Sequence, residues 1–415
     1  MDAADLDWLQ TEDGRAAADD ASMLLERSGE LTALRRLGQR YTAEQARAAV
    51  ALAAGRRAAR GKIEDAHVLF CDREAAEQAS PDLVARHIAE RFPGFETVAD
   101  LGCGMGGDAL AIARVARVLA VDRDETRLAM VRANASVRGV TGRVETLRAD
   151  LDGWSPPTGI EAVWADPARR DAAGRRLEPE RWSPSLRRVV EIASGRRGAG
   201  IKLAPGIDLE RLPAGGEIEF VSVGRELKAA VLWVGELTRA SRTATVLEPS
   251  RSLSGEPDAG RTVTGEPGLY LYDPDPAVGR AGLVDALAEQ LGAWKLDERI
   301  AYLTSDAVVE SPFARRFRVI EWSAFSARRI EERLRALGFG RVEVGRRGSP
   351  VETNDLERRL NRGLSRRPTP VRTPHPHPPA ARVKGSPGAG GRVASAILTR
   401  VRGEHVALIC ERERD

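Results

Sequence analysis

The stretch "TVADLGCGMGGDALAIA", residues 97–113, decides the fold because it reads as a strand, a glycine-rich turn and a helix in direct succession. Gly102, Gly104 and Gly107 satisfy the spacing GxGxxG, which lets a ligand approach the backbone closely at a helix N-terminus. On its own this pattern is only a weak indication of a nucleotide site. Asp100 precedes the glycines, so the sequence predicts a carboxylate at the mouth of the turn.

Two further acids follow the next two predicted strands. The strand "RVLAVD" ends at Asp122, 18 residues after Gly104, and Asp150 follows the third strand in "LRADL". An acid at the end of the second strand can hold the ribose hydroxyls of an adenosine-containing cofactor. Because the carboxyl ends of parallel strands share one edge of a sheet, Asp100, Asp122 and Asp150 predict a single cofactor site.

The alternation of short apolar runs with helical stretches between residues 96 and about 235 predicts an α/β fold. We expect a mostly parallel sheet with helices on both faces, closed by an antiparallel hairpin of "EIEFVSV" and "KAAVLWVGEL". The preceding residues predict helices, one of which begins at a Thr42–Gln45 capping box. Another is predicted to have Ser80 as its N-cap and Pro81 as its first residue. We expect His87 of that helix to be packed rather than to bind a ligand.

The rest of the chain predicts further domains. Residues 240–266 are polar and rich in Gly, Pro and Ser, which indicates a loop or linker. Mixed strands and helices follow, and the chain ends on two strand-like runs. The predicted domains are a helical N-terminal domain (1–79), the sheet domain (80–238), an α+β middle domain (239–322) with an N-terminal linker, and a C-terminal domain (323–415) with a proline-rich basic loop at 364–391.

Composition restricts the class of protein. Net charge is only +3, but residues 361–392 carry seven basic side chains and no acid. The proline-rich part of this segment is either an arm that contacts phosphates or a passive loop. Three scattered cysteines without a CxxC pair and the absence of a long apolar run favour a cytoplasmic protein without a membrane segment. His375 and His377 lack partner ligands in sequence, so no metal is expected.

With these motifs the sequence resembles the class I S-adenosylmethionine-dependent methyltransferases. "DLGCGMGG" is similar to their first motif and "VDRD" to their second, which implies S-adenosyl-L-methionine rather than NAD or FAD. The resemblance implies a seven-stranded, mostly parallel Rossmann-like sheet. We expect Cys103 to be a small filler in the glycine loop, not a nucleophile. The implied cofactor residues are Asp100, Gly102, Cys103, Gly104 and Gly107 near the methionine moiety, Asp122 with Arg123 at the ribose, and Asp150 with Leu151 beside the adenine.

The loop "VWADPARRD", residues 163–171, follows the fourth strand. In methyltransferases of exocyclic amines this place holds Asp or Asn, Pro, Pro and an aromatic residue. Asp166 and Pro167 keep the pattern, whereas Ala168 and Arg169 depart from it. The resemblance implies that Asp166 orients the amine and that the Pro167 region supplies a backbone acceptor. Arg169, together with Arg170, would grip the substrate. Two interpretations of Arg169 stay open, contact with a base or phosphate and an ion pair with Asp171 or Glu161. Trp182 either packs its loop or stacks on the substrate.

Further stretches widen the resemblance to nearly the whole chain. "EQAS–P" at 77–81, "GRRL" at 174–177, "WSPSL" at 182–186 and "ASAILTRV" near the end are similar to an actinobacterial methyltransferase family with a C-terminal THUMP-like domain. Since THUMP domains bind tRNA, this implies an RNA substrate. We therefore expect methylation of a base amine in structured RNA, tRNA or rRNA. The alternatives are a methyltransferase of a protein or small molecule, and a non-catalytic RNA-binding protein that retains the fold.

Overall fold

The protein forms two compact units in a computed structural model, Met1–Ser241 and Arg242–Asp415. The structure describes residues 1–168, 170–171, 174–175, 178–213, 215–365 and 392–412. Across these residues no helix is both long enough and apolar enough to span a membrane. The first unit contains the sequence motifs that predict a cofactor site, and the second contains the two predicted terminal strands.

Helices make up the N-terminal part of the first unit and flank its sheet. Thr42 begins one of them with the predicted capping box, because its hydroxyl accepts from the Gln45 backbone and the Gln45 side chain accepts from the Thr42 backbone. The helices are Ala3–Leu9 (α1), Glu12–Ser28 (α2), Glu30–Leu37 (α3), Ala43–Ala59 (α4), Arg73–Gln78 (α5), Asp82–Ala89 (α6), Gly107–Ile112 (α7), Glu125–Val137 (α8) and Leu186–Ala193 (α9). Short 3₁₀ turns occupy Thr141–Arg143, Pro179–Arg181 and Leu209–Arg211.

Seven strands of this unit form a mostly parallel sheet, so the predicted α/β fold with a mostly parallel sheet is confirmed. They are Thr97–Leu101 (β1), Arg117–Asp122 (β2), Val144–Arg148 (β3), Ala162–Ala165 (β4), Gly198–Leu203 (β5), Glu217–Val223 (β6) and Glu226–Gly235 (β7). Their order is β3-β2-β1-β4-β5-β7-β6. The first five are parallel, and β7 runs antiparallel to β5 and β6, as the hairpin prediction requires. Arg170–Asp171 and Gly174–Arg175 pair as a separate two-residue ladder.

A buried group of charges, which we call the clamp cluster, ties α6 to the hairpin strand β6. It consists of His87, Arg91, Glu217 and Glu219. Arg91 donates from both terminal nitrogens to Glu217 at 2.8 Å, and His87 Nε2 lies 2.7 Å from Glu219 Oε1. Trp233 of β7 also donates to Glu219, at 2.8 Å. Burial alone would lower the pKa of His87, but the hydrogen bond and charge of Glu219 raise it. His87 is therefore packed, as predicted.

The prediction that Ser80 caps α6 is wrong. The helix begins at Asp82 after Pro81, and no side chain accepts from its first turn. The Ser80 hydroxyl instead donates to Asp108 at 3.0 Å and accepts from Lys202 at 2.6 Å. Ser80 is buried, so its polar group is satisfied by these side chains rather than by the helix backbone.

The loop or linker predicted over 240–266 is wrong where the second unit begins, because this part of the chain contains two strands. Arg242–Leu247 (β8) and Arg251–Gly255 (β9) pair as an antiparallel hairpin. The polar residues that suggested a loop face one another across it, since Thr243 bonds Ser254 and Thr245 bonds Ser252, each at 2.9 Å. Such cross-strand hydroxyl pairs stabilise a strand, and threonine favours one.

A seven-stranded sheet and four helices form the remainder of the second unit's described residues. Gly282 adopts a left-handed conformation and ends the first of two consecutive helices. The helices are Pro276–Ala281 (α10), Val284–Leu291 (α11), Ala327–Ala336 (α12) and Thr353–Ser365 (α13). The strands are Tyr270–Pro274 (β10), Trp294–Asp297 (β11), Ile300–Ser305 (β12), Ala314–Ala324 (β13), Arg341–Arg346 (β14), Val393–Val401 (β15) and Glu404–Arg412 (β16), in the order β11-β12-β10-β13-β16-β15-β14. Most of the predicted 364–391 loop, including His375 and His377, lies outside the described residues.

Candidate active site

A cavity of about 740 Å³ opens at the carboxyl ends of the parallel strands in the first unit. Asp166 and Pro167, predicted to act on the substrate, line it after β4. Arg169, the third predicted catalytic residue, lies outside the described residues. Every residue predicted to bind the cofactor also lines the cavity: Asp100, Gly102, Cys103, Gly104, Gly107, Asp122, Arg123, Asp150 and Leu151.

The glycine turn between β1 and α7 leaves open space where side chains would stand. Gly102 and Gly104 have φ values of +77° and +54°, which side-chain-bearing residues rarely adopt. A Cβ added at either position would meet no protein atom within 4 Å. Gly106, which the GxGxxG spacing does not include, has φ +91° and precedes the helix. The turn therefore exposes bare backbone to the cavity.

Asp122 fastens the glycine turn to the end of β2. Its Oδ2 accepts from the Gly104 backbone at 3.2 Å, and its Oδ1 accepts from the Asp124 backbone at 3.0 Å. Burial raises the pKa of Asp122, although both hydrogen bonds act in the opposite direction. The carboxylate is thus held in one orientation while it faces the cavity.

Asp100 and Cys103 lie at the closed end of the same space. Asp100 is 2% exposed, and burial, followed by the charges of Asp108, Asp166 and Asp122, raises its pKa well above the usual value. Burial also raises the pKa of the Cys103 thiol well above its usual value. A buried thiol that holds its proton is a poor nucleophile, which supports the filler interpretation of Cys103.

Arg188 of α9 fixes the loop that carries Asp150 and Leu151. Its guanidinium donates to the Leu151 carbonyl at 2.7 Å and also to the Trp154 carbonyl. Asp150 caps the same loop by accepting from the Asp152 backbone at 3.1 Å. Leu151 is buried, so this side of the cavity presents an apolar wall beside a carboxylate.

A hydrogen-bonded cluster that the sequence analysis missed supports Asp166. We call Ser80, Asp108, Asp166 and Lys202 the rim cluster. Lys202, at the end of β5, donates from Nζ to Asp166 Oδ2 and to Ser80 Oγ, each at 2.6 Å. The Trp164 indole donates to Asp108 at 3.2 Å. The signal in the sequence is a single lysine inside the apolar run "GIKLAP", because a buried charge needs a partner.

The loop after β4 is held by backbone pairing with the "WSPSL" segment. Ala168 and Ser183 exchange backbone hydrogen bonds at 2.9 and 3.1 Å, and Ala168, Ser183 and Pro184 line the cavity. Trp182 is 4% exposed, so it packs the loop, which is the more favoured of its two predicted roles. Trp164 is fully buried.

The lining of the cavity is strongly acidic. Its described lining residues include nine acidic side chains and two arginines, Arg123 and Arg127. This imbalance among the described residues favours a cationic ligand. Among the described residues, no group of three or more His, Cys, Asp or Glu side chains is arranged to hold a metal ion. The geometry suits positioning of a cationic ligand against a target held by Asp166.

Comparisons with known proteins agree with this geometry. A protein-family profile described as "Methyltransferase domain" matches residues 98–168, and one described as "THUMP domain-like" matches residues 314–412. Two uncharacterized S-adenosylmethionine-dependent methyltransferases, from two strains of Mycobacterium tuberculosis, are each 37% identical over 298 residues, which is 70% of this chain and 80% of theirs.

A solved structure extends the likeness in fold to almost the whole chain. The crystal structure of a proposed methyltransferase from Porphyromonas gingivalis aligns with 96% of this chain and 99% of its own, with a TM-score of 0.69 and 18% identity. At that identity the likeness shows the fold alone.

Proposed function

The chain belongs to the family of S-adenosylmethionine-dependent methyltransferases with a THUMP-like C-terminal region, and from this we propose that it methylates a base amine of structured RNA. One observation carries the proposal: Asp166, at the end of β4, lines the same cavity as the glycine turn. A target amine held by Asp166 would therefore stand beside a cofactor bound at that turn.

S-adenosylmethionine fits the residues that are present. Its sulfonium and ammonium charges match the described lining residues, which include nine acidic side chains and two arginines. The open space at Gly102 and Gly104 would admit the methionine moiety against the backbone. Asp122 would accept from the ribose hydroxyls, and Leu151 would pack against the adenine. When bound, the cofactor supplies an electrophilic methyl group.

Asp166 would act by orientation. Its carboxylate accepts a hydrogen bond from the target N–H, and a backbone carbonyl near Pro167 accepts the second. This arrangement would direct the nitrogen lone pair at the methyl donor, so most of the rate enhancement would come from positioning. Arg169, with the neighbouring Arg170, would hold the substrate next to this loop. The Lys202 ammonium donates to Asp166 Oδ2 at 2.6 Å and so helps to hold the carboxylate in position.

Charge distribution supports RNA as the substrate. Residues 314–412, which match the THUMP-like profile, contain 21 arginines, one lysine and nine acids. The described lining of the cavity is mostly acidic, so the base would enter it while the phosphates bind basic residues elsewhere. Basic residues at a phosphate surface give binding that weakens steeply with salt.

The experiment that tests this proposal compares wild-type protein with Asp166→Ala. RNA from a strain that lacks the gene is incubated with either protein, and modified nucleosides are quantified by mass spectrometry. We expect wild-type protein to restore one methylated nucleoside and Asp166→Ala to reduce its rate of formation by about 100-fold or more. S-adenosylhomocysteine affinity, measured by calorimetry, should stay unchanged.

The outcomes separate the rival functions. If wild-type protein restores no methylated nucleoside but methylates a protein or small-molecule extract, the substrate assignment is wrong. If it binds RNA and transfers nothing to any of these, the protein is a non-catalytic RNA-binding member of the fold. Equal turnover by Asp166→Ala would remove the role given to that carboxylate.

A further inference from the structure

We propose that Lys202 is a positioning residue for methyl transfer, which holds the Asp166 carboxylate as a fixed, charged hydrogen-bond acceptor for the target amine. The inference rests on the proposed function, because it specifies how Asp166 performs the role given to it there. Lys202 Nζ lies 2.6 Å from Asp166 Oδ2, and the lysine side chain is only 6% exposed. At this distance and burial the contact is a charge-assisted hydrogen bond shielded from water.

The ammonium is anchored on its other side by groups from two further segments. Ser80, in the segment before α6, accepts from Lys202 at 2.6 Å and donates to Asp108 Oδ2 at 3.0 Å. Asp108 belongs to the first turn of α7, directly after the glycine turn, and its other carboxylate oxygen is buried without a hydrogen-bond partner among the described residues. The rim cluster thus links the ends of β4 and β5 to the glycine-turn helix.

The position of Lys202 is set by the sheet rather than by a flexible loop. Residue 202 pairs with Val231 across β5 and β7, and the neighbouring Ile201 pairs with Ala165 of β4. Asp166 directly follows that β4 residue. The ladder hydrogen bonds therefore fix the backbones of both residues, and the bonds of Nζ to Ser80 and Asp166 hold the lysine side chain, which together give the precision that orientation of a target amine requires.

Charge explains why a cation is needed at this place. Asp166 lies near the acidic side chains of Asp100 and Asp108, and Lys202 and Lys62 are positive groups near it. The neighbouring acids repel the Asp166 carboxylate, and the direct bond from Lys202 offsets that repulsion. Lys202 would therefore hold the Asp166 carboxylate in place as an acceptor.

The test uses the full chain and four variants. Lys202→Met removes the charge at similar length, Lys202→Arg keeps it, and Ser80→Ala removes the anchoring hydroxyl while retaining the ion pair. Lys295→Met is the matched control, since Lys295 is similarly buried and bonds Asp285 at 2.8 Å, but Asp285, unlike Asp166, does not line the cavity. Labelled S-adenosylmethionine and RNA from the gene-deletion strain give kcat, and calorimetry gives S-adenosylhomocysteine affinity.

We expect Lys202→Met to lower kcat by about 100-fold with S-adenosylhomocysteine affinity changed less than about threefold, and Lys202→Arg to recover at least about a tenth of the wild-type rate. Ser80→Ala should lose about five- to tenfold, and Lys295→Met should keep its kcat.

A double-mutant cycle separates action through Asp166 from a general effect on structure. In an Asp166→Asn background, Lys202→Met should lower the remaining rate by less than about twofold, since the ion pair is already lost. Full additivity of the two substitutions, or a wild-type rate in Lys202→Met, would overturn the inference. Failure of the wild-type protein to methylate the RNA would instead overturn the proposed function, so the two failures are distinct.

Discussion

Two buried groups of charges in the first unit differ in their balance. In the clamp cluster, Glu217 and Glu219 are matched by Arg91 and His87, and the two carboxylate side chains are 0% and 1% exposed. At the cavity lie four acids that we call the rim acids, Asp100, Asp108, Asp122 and Asp166, and Lys202 bonds Asp166 directly. Among the described residues, the clamp cluster matches two acids with two basic side chains, whereas the cavity brings more acidic than basic side chains together.

The pKa directions follow this difference. Burial raises the pKa values of Asp100, Asp108 and Asp122, and the charges of neighbouring acids add to the effect. The clamp cluster instead raises the pKa of Arg91, because hydrogen bonds and charges of Glu217 and Glu219 outweigh its burial. Ionisation of Asp100, Asp108 and Asp122 is therefore disfavoured in the fold, whereas the charged form of Arg91 is favoured. Such a cost is expected where a cationic ligand completes the site.

The largest expected effect comes from a substitution that breaks the clamp cluster. Arg91→Met leaves two carboxylates buried without their cation, so we expect the free energy of unfolding to fall by about 3–5 kcal/mol. Urea denaturation of the full chain measures it. A matched control is Arg47→Met, which removes the partner of the exposed Glu44 and should leave the urea midpoint nearly unchanged. A loss in Arg91→Met no larger than in Arg47→Met would show that the clamp cluster has no structural importance.

The next largest effect is on ligand binding at the cavity, and the free energy of unfolding should change little. Asp122→Ala removes the carboxylate that holds the Gly104 backbone and faces the cavity, so S-adenosylhomocysteine binding should weaken by about 10- to 100-fold. Calorimetry checks this. The control is Asp152→Ala, an exposed acid of the same lining, which should change affinity by less than about threefold. Equal losses in both variants would mean that overall negative charge, and not Asp122, determines binding.

The first unit's fold followed from sequence because its signals are local. The glycine turn, the alternation of strands with helices and the final hairpin are each encoded by neighbouring residues, and the order of the seven strands agrees with them. The predicted cavity-lining acids could be found for the same reason, since each lies at the end of a strand or within two residues after it. Their assigned roles toward a ligand stay predictions.

Long-range partnerships could not be predicted. Lys202 meets Ser80 across 122 residues of sequence, and Ser80 has the local pattern of a helix cap, which misled the prediction. The prediction of a linker over 240–266 failed for a related reason. Thr243 and Ser254 are each polar, and they become strand residues because they pair across a hairpin. Local composition does not show with which distant residue a side chain will pair.

The smallest expected effect has the opposite sign to that of the clamp and is the sharpest test of the comparison. An unfolded Asp ionises near pH 3.9, whereas burial and the neighbouring acids raise the pKa of Asp100 in the folded state. Between these two pKa values the folded state binds more protons than the unfolded state, so stability falls as the pH rises through that range. Asp100→Asn removes this titration and keeps the shape of the side chain. We therefore expect the variant to be more stable than wild type at pH 8 by about 1 kcal/mol, with an advantage that shrinks toward pH 4, and to bind S-adenosylhomocysteine more weakly. Urea denaturation across this pH range measures the difference in the free energy of unfolding. The control is Asp152→Asn, a substitution of an exposed acid, which should change stability little. A variant less stable than wild type at pH 8 would mean that the fold satisfies the ionised Asp100 as fully as the clamp cluster satisfies Glu217, and the contrast between the two groups would fail.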